Sequence, residues 1–544
     1  MAIKEFVKRN KLRRLRRILR GQRLLKQANL LWKLNIVNDE LAGSKCIIGG
    51  NYSARIFGAA AGREELVTRQ YLLQHFAGER LIKALLYTQG KAGSLLVYPL
   101  PLGLQKIVEG QGFKLAKLRS TFLWYGYMLV YFVFGMLSIF RVIYRGVKES
   151  ISSSQMELGN FVYLVGLNAS NLPQSSGDKG ASHEIVSWYR QWPGRYSKLD
   201  AICHSVKGIK QSDVQGTALV SLTSGIPPLN QVSSILKFIG WGFFAGGRAA
   251  IDLFRGRWWH ALMLNQAALG AQVKLVPPHS LAREYLFHNS SAIYRPLWTY
   301  GAVQQGSAVT LYFYSTNCEP FERLDGHTPI YFGYKVMSWP RYLVWDEYQA
   351  DFIRHAVGGN AFVSVVGQIW FSTSEAIIPD LSPKSIAVFD VQPMRDALYK
   401  TIGVDFEYYT SKTANRFLSD IYMAIEESGC ILTLKRKRNI GKLAHPSYRN
   451  FIAKLAMQPN FFAVEADLSA WNLIESSMAV ISMPFTSTAL LGRELGKPTV
   501  YYDPDGLLQK EGQPAHGIEI LSGPNELRVW LKAVLKANTD VCSK

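Results

Sequence analysis

The chain has 544 residues, with 62 Lys and Arg against 40 Asp and Glu, a formal net charge of +22 and a pI near 9.6. Hydrophobic residues make up 48% and charged residues 19%, which excludes a largely disordered chain and leaves length for about two to four domains with buried cores. The five scattered cysteines form no C-x-x-C pair, so a disulfide scaffold is excluded and a reducing compartment is expected; the basic excess points to nucleic acid, an anionic membrane or a phosphate-bearing substrate.

Residues 1–30 hold eleven basic residues against Glu5 alone, a net +10. Leu12, Leu15, Ile18, Leu19 and Leu25 recur between the charges at helical spacing. Such a helix would lie on anionic lipid, each basic side chain near the surface contributing about 1 kcal/mol. A solvated basic helix, a nucleic-acid arm or an Arg-rich presequence would carry the same pattern. Nothing downstream supplies a nucleic-acid recognition module, so nucleic acid is not an expected partner. No short apolar run with a small-residue cleavage site follows the first charges, so no secretory signal is expected.

Ser120 to Phe140 is a 21-residue run without a charge, long enough to cross a bilayer. Lys114, Lys117 and Arg119 precede it, and Arg141, Arg145 and Lys148 follow. A single span would put one basic flank outside, against the positive-inside tendency, whereas a re-entrant or in-plane helix would not. A buried helix of a soluble core would also fit. The expectation is membrane association of residues 1–150 as a helical region, with the span itself left open.

From residue 151 the pattern becomes that of an α/β protein. Strands are expected at Phe161 to Val165, Ala218 to Leu222, Lys274 to Val276, Val309 to Tyr314 and Phe362 to Val366, with helices at His183 to Gln191 and Asp346 to His355. Gly240-x-Gly242-x-x-Ala245 formally matches a dinucleotide fingerprint, but no suitable acid follows about 20 residues on, so no cofactor is expected. Its aromatic setting reads as a lipid-dipping loop, a wall for a greasy acceptor, or core packing.

Beyond residue 384, short apolar strands alternate with amphipathic helices. The strands are Ile386 to Phe389, Ile431 to Leu434, Phe461 to Val464, Ala479 to Ser482 and Thr499 to Tyr502. Alternation of this kind means right-handed crossovers and a parallel sheet, with ligands at the strands' carboxyl ends. Residues just after those ends are therefore site candidates. Asp390 and Glu465 are placed for a ribose or base contact, and Arg436 and Arg438, in the run Lys435 to Arg438, for neutralising a nucleotide phosphate; a solvated basic loop would show the same run. His445 precedes Pro446, and the hydroxyl turn Thr486-Ser487-Thr488 opens a helix whose free N–H groups favour a phosphate. Plain N-capping would use the same hydroxyls. Asp503-Pro504-Asp505 reads either as a metal-binding D-x-D or as a simple turn, and the turn is preferred, so no metal is expected.

Pro484-Phe485-Thr486-Ser487, in the context ISMPFTSTALLGRELGKPTVYYDP, resembles the signature of the bacterial polysaccharide-biosynthesis PFTS-motif family. The arrangement is similar to GT-B glycosyltransferases. His445-Pro446 with Ser487 and Thr488 resembles the HP and Ser-Ser/Thr motifs of bacterial sialyltransferases and related CMP-sugar enzymes. The resemblance implies an α/β, GT-B-like fold with two Rossmann-like domains facing a cleft. Residues 151–383 would be the acceptor domain with its crossover, and 384–544 the nucleotide-sugar domain. It also implies donor phosphate binding by His445, Thr486, Ser487 and Thr488, without a metal. The implied activity is transfer of a sugar, from a CMP-sugar in preference, to a lipid-linked or polysaccharide acceptor in O-antigen or capsule synthesis. The expected place is the cytoplasmic face of the inner membrane. Leu324-Asp325-Gly326 is only a fragment of the sialyltransferase base motif, so the catalytic base stays unassigned; His183, Glu184, Asp200 and His204 are candidates. The alternative is a non-catalytic assembly protein with a GT-B-like body.

Overall fold

A computed structural model describes residues 36–542 except 38, 45–50, 79, 82–83, 86–87, 89–94, 152–158, 174–184, 208–211, 215, 317–318, 320, 325–332, 370–381, 395–409, 437–439, 467 and 485. The basic arm of residues 1–30, and with it the expected lipid-binding helix, lies outside the described residues, as do His183, Glu184, Asp325 and Arg438.

Two parallel sheets dominate. The first has the order β3-β4-β2-β1-β5-β6-β7-β8, built from β1 (Phe161–Leu164), β2 (Ala201–His204), β3 (Ser212–Val214), β4 (Thr217–Ser221), β5 (Glu284–His288), β6 (Ala308–Tyr312), β7 (Arg341–Val344) and β8 (Val363–Val365). Only β3 runs antiparallel to its neighbour. The second has the order β11-β10-β9-β12-β13-β14: β9 (Ser385–Asp390), β10 (Ile431–Arg436), β11 (Phe461–Val464), β12 (Ala479–Ser482), β13 (Thr499–Asp503) and β14 (Glu519–Ser522). In each sheet the first strand lies inside and the chain winds outwards on one side, then on the other. That is the doubly wound Rossmann pattern, whose strand order reverses between β1 and β5 and again between β9 and β12. The strands are short and apolar because helices cover both faces.

The helices are α1 (Glu64–Phe76), α2 (Leu102–Gly110), α3 (Lys117–Ile151), α4 (Ile185–Gln191), α5 (Val232–Phe254), α6 (Trp259–Leu275), α7 (Trp298–Gln304), α8 (Glu347–Val357), α9 (Ser411–Glu427), α10 (Pro446–Leu455), α11 (Ala470–Glu475), α12 (Thr488–Glu494) and α13 (Gly523–Cys542). On one face of the first sheet, α3, α5 and α6 share a core with Phe161, Tyr163, Tyr285 and Phe287. On the other, α4 packs its Ile185, Trp188 and Tyr189 against Val162, Leu164 and Leu286. The alternation of inward positions along β1 and β5 separates these two cores.

Two expectations need correction. Lys274 to Val276 is no strand: α6 runs to Leu275, and Val276 caps it. Its apolar residues continue a helix buried almost all round, which a short window cannot tell from a strand. The glycine-rich patch is no loop either, because Gly240 to Gly247 lies in the middle of α5. There Gly242 and Gly246 serve close helix packing, while Gly240 and Gly247 face open space. A Cβ on Gly242 would come 2.8 Å from Ile139, and one on Gly246 2.8 Å from the sulfur of Met136.

The same tightness occurs at Gly135, where a Cβ would meet Leu264 at 2.6 Å, whereas Gly126 on the same helix has nothing within 4 Å. Gly135→Ala is expected to cost about 1–3 kcal/mol through overpacking. Gly126→Ala should be neutral or add about 0.5–1 kcal/mol from helix propensity. Denaturant midpoints of the two variants check the contrast.

Candidate functional site

The second sheet places its informative residues at one edge, on opposite sides of β9. On the β10 side, Asp390 ends β9 in register with Arg436 at the end of β10. Asp390 is 1% exposed and its Oδ2 accepts a hydrogen bond from the Tyr448 hydroxyl of α10. Burial pushes its carboxyl up to about 6, against the pull of Tyr448 and the Arg436 guanidinium. Its Oδ1 and the Nε of Arg436 are buried without a protein partner. Beside them opens a cavity of about 410 Å³ lined by Gln392, Arg436, Gly441, Ala444, Tyr448 and Arg449, among others. The loop after β9 is pinned there by a bridge between Met394 and Ala444 and by the His445 N–H donating to the Pro393 carbonyl at 2.8 Å.

His445 itself caps α10: its Nδ1 accepts from the Ser447 N–H at 3.2 Å. The near side of the ring is committed to this cap, and only its far side is left for a ligand.

On the β12 side lies the hydroxyl turn. Thr486 is buried and donates to the Met483 carbonyl at 2.7 Å, bracing the turn. The Thr488 hydroxyl pairs with that of Ser482 at 3.2 Å. Ser487 occupies the N-cap position of α12 but makes no capping bond. Its hydroxyl instead accepts from the N–H and the hydroxyl of Thr316, at 3.3 and 3.2 Å, on the loop after β6 of the first sheet. Expected as a phosphate ligand or a cap, Ser487 is thus one point where the two sheets' carboxyl edges touch.

The remaining candidates lie elsewhere. Glu465 is exposed after the outer strand β11, away from the β9–β12 crevice. Asp503 is fully buried and accepts from the N–H groups of Asp505, Gly506 and Leu508. Asp505 accepts from Arg416 and Thr413, each at 2.9 Å. Both carboxylates are committed to a turn and to the start of α9. Among the described residues, no cluster of three or more His, Cys, Asp or Glu has metal-binding geometry.

In the first sheet, Asp200 precedes β2 at the amino edge, facing away from the contact, and its Oδ2 accepts from the Asn160 N–H at 2.7 Å. His204 ends the same strand at the carboxyl edge and is fully buried; Nδ1 accepts from the Val206 N–H at 3.1 Å and Nε2 has no partner. The residue that the sequence reading missed is His288. It ends β5, next to β1 at the reversal point, with Nε2 3.0 Å from the Gly166 carbonyl and Nδ1 2.7 Å from Ser290 Oγ. A carbonyl can only accept, so Nε2 carries the proton and Nδ1 accepts from Ser290. Burial lowers the imidazole's affinity for a second proton, with the Gly166 carbonyl acting in the opposite sense. The run Glu284 to His288 followed by Asn289-Ser290-Ser291 was its available signal: an apolar strand closed by a polar turn.

A second tie crosses between the sheets. Asp346, after β7, caps α8 through the Gln349 N–H at 3.0 Å. Its carboxylate also takes the His516 Nδ1 at 2.8 Å and the Arg493 guanidinium at 3.2 Å, both from the second sheet's side. Arg493 donates in turn to the His516 carbonyl. Burial would raise the Asp346 carboxyl, but the hydrogen bonds and charge of these partners prevail and hold it below its ordinary range.

The two carboxyl edges therefore meet. The chain belongs to the polysaccharide biosynthesis PFTS motif protein family, which matches residues 237–531, more than half of its length. No curated protein matches the sequence. Among solved structures, the UDP-GlcNAc 2-epimerase of Methanocaldococcus jannaschii aligns at 8% identity over 69% of this chain and 92% of its own, with a TM-score of 0.34. The UDP-forming α,α-trehalose-phosphate synthase of Burkholderia xenovorans aligns at 10% over 69% and 92%, with a TM-score of 0.33. A UGT transferase from Siraitia grosvenorii in complex with UDP does so at 10% over 69% and 90%, with a TM-score of 0.33.

Tyr448→Phe tests the Asp390 environment. Without the hydroxyl the carboxyl should ionise above its present value of about 6. The loss in stability should be about 1.5–3 kcal/mol where Asp390 is charged, and smaller at low pH. Sign follows from linkage: a raised folded-state carboxyl pKa means that stability falls as pH rises from the ordinary range towards the folded value. Denaturant unfolding of both proteins at pH 5 and pH 8 reads the difference, which should be larger at pH 8.

Proposed function

We propose that the protein is a glycosyltransferase of bacterial cell-surface polysaccharide synthesis that moves a sugar from a nucleotide donor to a membrane-linked acceptor. Membership of the PFTS family supports the biological setting. The observation that carries the chemistry is the pair of doubly wound sheets whose carboxyl edges meet through Thr316 and Ser487. Two such edges bring two substrates to one crevice, the arrangement that group transfer requires.

In this reading residues 384–544 hold the nucleotide sugar and residues 151–383 the acceptor, with residues 1–150 on the membrane. The donor phosphate lies along the turn of Thr486, Ser487 and Thr488, and His445 donates from the free side of its ring. Arg436 and the Arg438 run add positive charge, while Asp390 holds Tyr448 at the wall of the 410 Å³ cavity beside them. A leaving nucleotide is stabilised by such fixed donors as charge develops on it. The acceptor hydroxyl loses its proton to a histidine of the first sheet's edge. His288 suits this role best, since burial keeps its imidazole neutral and its hydroxyl partner, Ser290, is one that a substrate hydroxyl can replace. A CMP-sugar is the preferred donor and the cytoplasmic face the preferred location.

Labelled CMP-, UDP- and GDP-sugars offered to membranes containing the protein test the proposal. Label should enter a lipid-extractable or polymeric product with one nucleotide class. His288→Gln should lower turnover by about 10²–10⁴-fold, the range for loss of a general base. Thr486→Val and His445→Ala should raise the donor KM. Transfer from none of the donors, with no nucleotide-induced thermal shift, would instead favour the assembly-protein reading.

A further inference from the structure

Among the described residues, α3 is the one helix long and apolar enough to cross a membrane. Its packing says how it meets one. One stripe, through Trp124, Met128, Gly135, Ile139, Val142 and Gly146, is buried along nearly the whole helix. That stripe rests on α5 and α6, which rest on the first sheet. Contacts pair Gly146 with Ile235, Ile139 with Gly242, Met136 with Gly246 and Tyr125 with Gly256, so α3 and α5 lie antiparallel and side by side.

Opposite the buried stripe, α3 exposes Phe122, Leu129, Val133, Leu137, Phe140 and Tyr144, a continuous i, i+3/i+4 line. The face of α5 turned away from the sheet repeats the pattern with Val232, Leu236, Phe243, Ile251 and Phe254, of which Phe243 is 79% and Phe254 94% exposed. Two adjacent helices thus present one apolar plate, far more than the scattered exposed side chains of a soluble surface.

Charge frames the plate at both ends. Lys114, Lys117 and Arg119 open α3 beside Arg248, Arg255 and Arg257 at the end of α5, while Arg141, Arg145 and Lys148 close α3 beside Lys237. Across residues 114–151 and 231–257 there are ten basic residues and two acidic, Glu149 and the buried Asp252. A second protein copy would need acids to answer those ends, and an identical plate offers only Glu149, since Asp252 is buried.

We propose that the α3–α5 plate is a monotopic docking surface for an anionic lipid leaflet, lying in the plane of the membrane with both basic ends at the headgroups. Spanning is incompatible with this packing, because α3 could not cross without drawing α5, α6 and the first sheet into the hydrocarbon. Both flanks can then be basic without conflict, since neither is translocated. The inference deepens the membrane-acceptor part of the function proposed above. Its test needs no donor or turnover, so each can fail without the other.

Co-flotation of the full chain with vesicles provides that test, using phosphatidylcholine alone or mixed with phosphatidylglycerol. The parent chain should float with the mixed vesicles and poorly with neutral ones. Leu236→Asp/Phe243→Asp and Phe122→Asp/Phe140→Asp alter exposed positions only and should each weaken flotation by at least about tenfold. Met457→Asp, an exposed apolar site on the second sheet's side, should float like the parent. Unimpaired flotation of both double variants overturns the proposal, as does a plate-dependent dimer that does not float. For topology, Leu118→Cys and Ile151→Cys in sealed membrane vesicles should react with an impermeant thiol reagent from the same side. Reaction from opposite sides would mean a span and sink the in-plane reading.

Discussion

One carboxylate gathers partners from both halves of the molecule. Asp346 caps its own helix, takes the imidazole of His516 and takes the guanidinium of Arg493. Hydrogen bonds to a charged group contribute about 1.5–3 kcal/mol each when their geometry holds, and losing a partner leaves a half-buried charge behind. His516 is held there at φ 53, the sole positive-φ residue other than glycine among those described. A side chain in that backbone region costs free energy, so the contact that keeps it there is part of how the halves are set. Beside this tie, Thr316 reaches Ser487, and Glu322 and Leu324 share backbone hydrogen bonds with Gln509 and Leu507.

That arrangement changes the meaning of the hydroxyl turn. Thr486 braces it, Thr488 fastens it to β12, and Ser487 reaches across to the other sheet. A group entering beside this turn must compete with a protein contact for Ser487. In the proposed reading, donor binding and the spacing of the two edges are thereby coupled at Ser487.

Much of this was legible in the sequence, and the rest was hidden for physical reasons. The second sheet was readable because its strands are short, apolar and separated by amphipathic helices, so five of its strands fall where the alternation puts them. Glu519 to Ser522 escaped because Glu519 and Ser522 leave only Ile520 and Leu521 to signal a strand. In the first sheet, β2 and β5 end in His204 and His288, and a polar end shortens the visible apolar run. The site was legible as positions after strands but not as contacts. No local pattern announces that Ser487 will meet Thr316, or that His445 will fold its ring back onto the Ser447 N–H. The α5 glycines misled for the same reason: their partners, Ile139 and Met136, are about a hundred residues away.

The antiparallel pairing of α3 with α5 also has a bearing on how the chain is made. The strands β1, β2, β3 and β4 intervene, so α3 leaves the ribosome about a hundred residues before the end of α5. At roughly 5–20 residues per second, this long apolar helix waits on the order of 5–20 s for the first of the two later helices that cover its buried stripe. During that interval it exposes both faces, not one. The nascent chain is therefore a stronger client for lipid or a chaperone than the finished protein, and a pause in synthesis before residue 254 would lengthen the period in which it can be lost to aggregation.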